Sequence, residues 1–333
     1  MNENTYMSIR NTNALKGLLA VAVVISHIYT SSSFQFSSSL LEFVFGSVFG
    51  FVPVSVFFFL SGYGMMCSYR KRGTDYLRHF PRNRILPLYL NMCVMIAVYL
   101  VLNLVLNGTF DPMLLLTSLT LGSTVIKYGW YLQTILVLYL LFWICFSVKL
   151  KERQKLCLFA VLLVLIYVLL LICGTDPTCY ATAPCLLLGM LWSALGDRID
   201  RMINTRLKKW VCIFSLLLLS MAIKVTAPLL PAVVAYAFQL TGTAVCFTLT
   251  VILFLKGISL CHPAIAFLGR ISLEIYVTQG IAIMLLTYFG LHTVNILLYG
   301  TMVMVATLIL SVGLHPIFAK IAKAVRNSDS IQK

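Results

Sequence analysis

Residues 52–90 read VPVSVFFFLSGYGMMCSYRKRGTDYLRHFPRNRILPLYL. A stretch without formal charge gives way at Arg70 to six cations within 15 positions (Arg70, Lys71, Arg72, Arg78, Arg82 and Arg84), and the chain then turns apolar again. An uncharged run of that length is a membrane-crossing helix, and cations between two such runs mark the side on which both helices are anchored. The same alternation extends through the chain. Apolar spans lie at 14–30, 45–67, 85–106, 130–148, 156–173, 180–196, 210–223, 232–255, 271–290 and 295–315, and every second segment between them is basic. The expected fold is therefore an all-α polytopic transmembrane bundle of about ten helices with both termini cytoplasmic, formed by one domain over 1–333.

Composition agrees. Of 333 residues, 60% are hydrophobic and 11% charged, and the mean hydropathy is +0.96. Lipid is thus the solvent for most of the chain, and a water-soluble enzyme is excluded. A net charge of +15 would suggest nucleic acid in a soluble protein. Here all 25 Lys and Arg except Lys127 and Lys224 fall on one side, so the charge reports orientation and no nucleic-acid partner is expected. The first span carries Lys16 and His27 and lacks a small-residue cleavage pattern, which reads as a retained helix rather than a signal peptide. The cysteines show no CxxC spacing and read as small buried hydrophobes. Cys173 and Cys179 alone flank an external loop where a disulfide has room to form. No metal-ligand spacing is present. Two segments are irregular: the apolar piece after Asp111 is too short to cross and reads as a re-entrant or interfacial helix, and the span 210–223 is short.

Ionisable groups inside hydrocarbon cost about 2.5–3.5 kcal/mol each on insertion scales, so each one needs a reason. Lys16 and His27 stand eleven residues apart, which on a helix is about three turns and 16 Å, with only about 20° of rotation. They share a face. That suits a snorkelling lysine and a core histidine; it equally suits a cation for an anionic co-substrate below a titratable imidazole fit for general-base work. Ser61-Gly62-Tyr63-Gly64 interrupts an apolar helix, either for close helix packing or to bring the Tyr63 hydroxyl inside. The cations from Arg70 to Arg84 serve topology and also suit a phosphate clamp. Glu274 follows Arg270 by four residues, the spacing of a neutralising pair on one helix face, while His262 and His315 precede prolines and read as solvated or capping groups.

These segments resemble the acyltransferase 3 family, bacterial membrane acyltransferases that modify exocellular glycans. The family opens with Asp-Gly-Leu-Arg-Gly and a His eleven residues after the Arg; here Asn13-Ala14-Leu15-Lys16-Gly17 and His27 keep the spacing with Lys for Arg. Its FFxLSGY-like motif is matched by Phe58 to Tyr63, and its Arg-Ile-x-Pro-x-Tyr by Arg84-Ile85-Leu86-Pro87-Leu88-Tyr89. Trp130, Leu132 and Tyr139 match its WxL…Y segment, and Leu268 to Gln279 its LGxxSxxIYLxH, with Ser272 and Tyr276 in register. The departures are Pro81, Ile135 and Gln279, where many members carry Arg, Glu and His.

The resemblance implies an enzyme: an O-acyltransferase in the bacterial cytoplasmic membrane, moving an acyl group, acetyl in the first instance, from cytoplasmic acyl-CoA to a hydroxyl of an exocellular or lipid-linked glycan. His27 would be catalytic. Lys16, Arg82 and Arg84 would hold the donor, with Ser61, Tyr63, Trp130, Ser272 and Tyr276 in support. Acyl-CoA would be a co-substrate, with no permanently bound cofactor. Many members carry a fused extracytoplasmic hydrolase-like domain, so an acceptor that requires one would need a separate partner protein. The other function class that fits the hydropathy is a transporter or sensing module without acyl transfer. Inverted repeats and matched broken helices would favour it, and neither stands out.

Overall fold

Long apolar runs become helices because in lipid each backbone N–H and C=O must be paired within its own segment. In the computed structural model, which describes residues 6–38, 41–42, 44–120, 122–260 and 262–327, this yields a helical protein without a strand among the described residues. The helices are α1 (Ile9–Ser31), α2 (Phe49–Arg72), α3 (Thr74–Phe80), α4 (Leu86–Asn107), α5 (Pro112–Leu119), α6 (Trp130–Ser147) and α7 (Glu152–Ile172). They continue as α8 (Pro184–Met202), α9 (Arg206–Thr226), α10 (Ala232–Leu255), α11 (Pro263–Arg270), α12 (Ser272–Tyr288) and α13 (Ile296–Asn327). Among the described residues nine helical stretches are long and apolar enough to cross a membrane, and the pair α11 and α12, bent by 73°, adds a tenth if it is counted as one broken span. The polytopic bundle expected from the sequence is what the chain forms.

Two local outcomes differ from the expected boundaries. The basic segment 68–84 is helical. Gly73 (φ +59°) makes the one left-handed step between α2 and α3, and a π-helical turn over Pro81–Ile85 carries α3 into α4. Its cations therefore stand at fixed angles around helix ends. The short span 210–223 is the middle of α9. Thr205 caps that helix by accepting from the Lys208 amide, and Lys208, Lys209 and Lys224 extend it at both ends. Cys173 and Cys179 are free thiols.

The chain divides into two compact units, neither contiguous in sequence. The first takes the chain as far as Thr12, Phe51–Arg78 and 140–260. Here α2 and α8 interlock through glycines. A methyl group on Gly62 would overlap the Leu186 carbonyl, and one on Gly189 the Phe59 carbonyl. Only glycines allow backbones this close. Ser55 and Thr248 share a buried hydroxyl contact of 2.7 Å, and Arg70 pairs with Glu152 at 2.5 Å.

The second unit takes 13–50, 79–139 and the chain from 262 onward. Its helices α12 and α13 pack along each other, tied by Thr278 and Ser311 at 2.8 Å. Gly17 on α1 and Gly269 on α11 face each other's backbones, 3.0 Å from a Gly17 methyl to the Gly269 amide nitrogen. With its 32 residues, α13 runs about 48 Å, well beyond a bilayer core of about 30 Å. That excess length carries Phe318, Ala319 and Arg326 to the wall of a cavity described below.

Candidate active site

Residues of the second unit form two adjoining features. The first is a cavity of about 440 Å³. Arg84, Arg270 and Arg326 line it, together with Asn91, Tyr131 and Glu274. Lys16, one helix away on α1, lies close enough to Arg84 for the two charges to repel. Lys16 has no ion-pair partner among the described residues, so it and Arg84 stand near each other without a carboxylate bridging them. Such a cluster is arranged for a multiply charged anion.

The single carboxylate of the cavity wall, Glu274, is nearly buried and is held by His315 Nδ1 at 2.6 Å. The sequence suggested Arg270 as its partner. That spacing rule requires one continuous helix, whereas α11 ends at Arg270 and the chain turns 73° at Ile271 before α12 begins. His315, read from sequence as a solvated or capping group, is thereby a wall residue's hydrogen-bonding partner. Its signal lies in long-range packing, which a single sequence does not display.

The second feature surrounds His27, four residues from the end of α1. Its ring stacks on Tyr128, with centroids 3.7 Å apart and planes within 10°. Nδ1 is buried and without a hydrogen-bond partner. Gln279 approaches the imidazole as its side-chain hydrogen-bonding neighbour, although its Oε1 makes no bond of full geometry. A buried ring nitrogen left open is costly, about 1–3 kcal/mol, and is the condition of a group awaiting a ligand's proton donor.

The loop after α5 brings Tyr128 there. Asp111 caps α5 by accepting from the amides of Met113 and Leu114, and Pro112 starts the helix. Beyond it, Val125 N–H donates to Ser118 Oγ at 2.9 Å, Gln133 Nε2 to the Ser123 carbonyl at 3.4 Å, and the Tyr276 hydroxyl to the Tyr128 carbonyl. Tyr128 is the one described non-glycine residue with positive φ, +66°, a conformation costing about 1–2 kcal/mol that these ties sustain. Burial pushes its phenol up to about 12, with Tyr299 adding to the effect, so it remains neutral. The neighbouring Lys127 ammonium sits 5.6 Å from the Tyr128 ring centroid, and burial holds it below the usual lysine range.

Tyr276 joins the two features. Its hydroxyl holds the Tyr128 carbonyl, and its ring meets that of the wall residue Tyr131 edge to face at 5.3 Å. The chain of contacts Tyr131–Tyr276–Tyr128 thus links the wall of the cationic cavity to the imidazole, which stands about 16 Å along α1 from Lys16.

A family model described as an acyltransferase domain matches residues 9–315. The chain belongs to the acyltransferase 3 family. No curated protein and no solved structure matches it. This membrane acyltransferase brings together most of the motif residues singled out by its sequence: Lys16, His27, Arg84, Trp130, Ser272 and Tyr276 all belong to the second unit. Ser272 opens α12 and Trp130 opens α6, both at the turns that orient the aromatic residues.

Other motif residues of the acyltransferase do different things. Arg82 belongs to the same unit but donates through Nε to the Val325 carbonyl and borders a separate cavity of about 590 Å³. It pins the end of α13. Ser61 and Tyr63 lie in the first unit, where Gly62 between them serves the close α2–α8 packing and Tyr63 neighbours Cys67, Tyr6 and Asp200. Gln279, the departure from the family's His, is fully buried with its Nε2 donating to the Tyr276 carbonyl at 3.0 Å. Gly17 and Gly269, unremarked within their motifs, set how closely α1 and α11 approach. Arg270, Arg326 and Tyr128 enter through tertiary structure alone.

Proposed function

We propose that this acyltransferase moves an acyl group, acetyl in the simplest case, from acyl-CoA in the cytoplasm to a hydroxyl of an exocellular or lipid-linked glycan. The observation that carries this reading is the crowding of Lys16 against Arg84 beside the cavity of Arg270 and Arg326, on the helix that also holds His27. Phosphates of the donor relieve the repulsion, and the extended thiol arm spans the distance to the imidazole. His27 accepts the proton of the acceptor hydroxyl as the oxygen bonds to the acyl carbon. The carbon–sulfur bond breaks, and the thiolate of CoA leaves and is protonated. Acyl-CoA enters as a substrate, and the acceptor and any extracytoplasmic partner approach from the opposite face.

The donor assignment has a direct test in binding of labelled acetyl-CoA to the full chain in nanodiscs. Lys16→Ala or Arg84→Ala is expected to weaken binding about 10-fold or more, the scale of a lost charge-assisted contact, whereas Lys16→Arg is tolerated. Unchanged binding in both alanine variants would remove the residues from the donor site. Orientation in a bacterial cytoplasmic membrane is checked separately. Lys71→Cys and Lys208→Cys should resist an impermeant thiol reagent added outside intact cells and react once the cells are opened. Labelling from outside would reverse the topology and with it the cytoplasmic donor.

A further inference from the structure

Lys127 was one of two cations left on the sparsely charged side of the chain, where a loop lysine facing water or lipid headgroups would need no explanation. The structure gives it a different setting. A methyl group built on Gly280 would lie 3.0 Å from Lys127 Cβ and 3.1 Å from its carbonyl oxygen. Gly280 is the ninth of the 17 residues of α12, so the loop reaches the midpoint of that helix. A side chain on Gly280 would also strike the Tyr99 hydroxyl, itself committed to the Val277 carbonyl at 2.9 Å, so the absent side chain is what admits the loop. Lys127 is half-buried there, with its ammonium against the Tyr128 ring and within electrostatic reach of His27.

No carboxylate answers it. Each ion pair among the described residues, Arg70–Glu152 and Lys256–Asp200 included, leaves Lys127 aside, as does the Glu274–His315 contact, and the ring beside its ammonium is that of Tyr128. A half-buried cation without a carboxylate partner is costly and suits an anionic ligand. The cations of the donor cavity belong to the other end of α1, so a second anion is implied at the imidazole end.

We propose that Lys127 is an acceptor-specificity residue, binding a carboxylate or phosphate of the acceptor and thereby setting its hydroxyl at His27. The enzyme's acceptors are then anionic glycans, such as uronic-acid-bearing or sugar-phosphate units, in preference to neutral ones. This deepens the acyl-transfer reading and rests on it for the chemistry, though the binding it asserts stands by itself.

The test uses the full chain in phosphatidylcholine nanodiscs, with calorimetric titration of glucuronate, glucose 6-phosphate and neutral methyl glucoside. The wild type is expected to bind at least one charged probe about 10- to 100-fold more tightly than the neutral one, the scale of a charge-assisted hydrogen bond. Lys127→Gln should erase that difference and Lys127→Arg should keep most of it. Absence of charge discrimination in the wild type, or its survival in Lys127→Gln, overturns the proposal. Repeating the titration in phosphatidylglycerol discs separates the sources of phosphate: if anionic lipid abolishes discrimination, Lys127 is a headgroup site and the proposal falls. Labelled acetyl-CoA bound by the same preparations reports on the donor independently, so failure there counts against the acyl-CoA reading and leaves the charge discrimination to be judged separately.

Discussion

His27→Asn is expected to lower acyl transfer by about 10²-fold or more without preventing insertion or donor binding. Asparagine keeps a compact polar amide able to lie against Tyr128, yet it has no nitrogen that takes up a proton near neutral pH. A packing histidine and a proton-accepting one therefore diverge in this variant. The structure sharpens the expectation, because Nδ1 makes no hydrogen bond that the substitution would break. Turnover, accumulation in the membrane and labelled acetyl-CoA binding measured together decide it. Near-normal turnover would make His27 a packing residue and withdraw the base from the mechanism.

Gly269→Ala should have the second largest effect. The added methyl group would overlap the Asn13 carbonyl, which is backbone and has no rotamer to escape into. Helices α1 and α11 would have to separate, at a cost on the order of 1–3 kcal/mol for overpacking. Because Lys16 follows Asn13 by three residues on α1 and Arg270 is the last residue of α11, separation also disturbs the cations of the proposed donor site. We expect a lower thermal midpoint and weaker acetyl-CoA binding in the same variant. Gly196→Ala, where an added methyl group meets open space, is the matched control. Equal behaviour of the two variants would show that the α1–α11 approach is not critical.

The membrane bundle was legible because hydropathy and cation placement act segment by segment and need no knowledge of neighbours. The Lys16 and His27 face was legible for a similar reason: one helix carries both residues. Legibility stopped where a backbone break or a second helix decided the outcome. The turn at Ile271 removed Glu274 from Arg270 and left it to His315, 41 residues away. The segment 122–129 has no periodicity, and only Ser118, Gln133 and Tyr276 acting from three helices bring Tyr128 onto the imidazole. Arg82 and Arg84, two residues apart, look equivalent as letters. The π-helical turn sends one to the Val325 carbonyl and the other to the cavity.

The continuous helix from Ile9 to Ser31 carries both the lower cation and the imidazole. On the proposed reading it is a ruler. An α-helix neither stretches nor compresses at useful cost, so the interval between phosphate and thioester is counted in residues and fixed at about 16 Å. Such a gauge measures the constant part of the donor, the arm every acyl-CoA shares, and is blind to the acyl chain beyond the thioester. Choice among acyl groups must then be exercised past His27, by the aromatic residues at that end. A single residue inserted between Gly17 and Ser26 would add only about 1.5 Å to the gauge but swing the imidazole through about 100°, away from Tyr128 and out of line with Lys16.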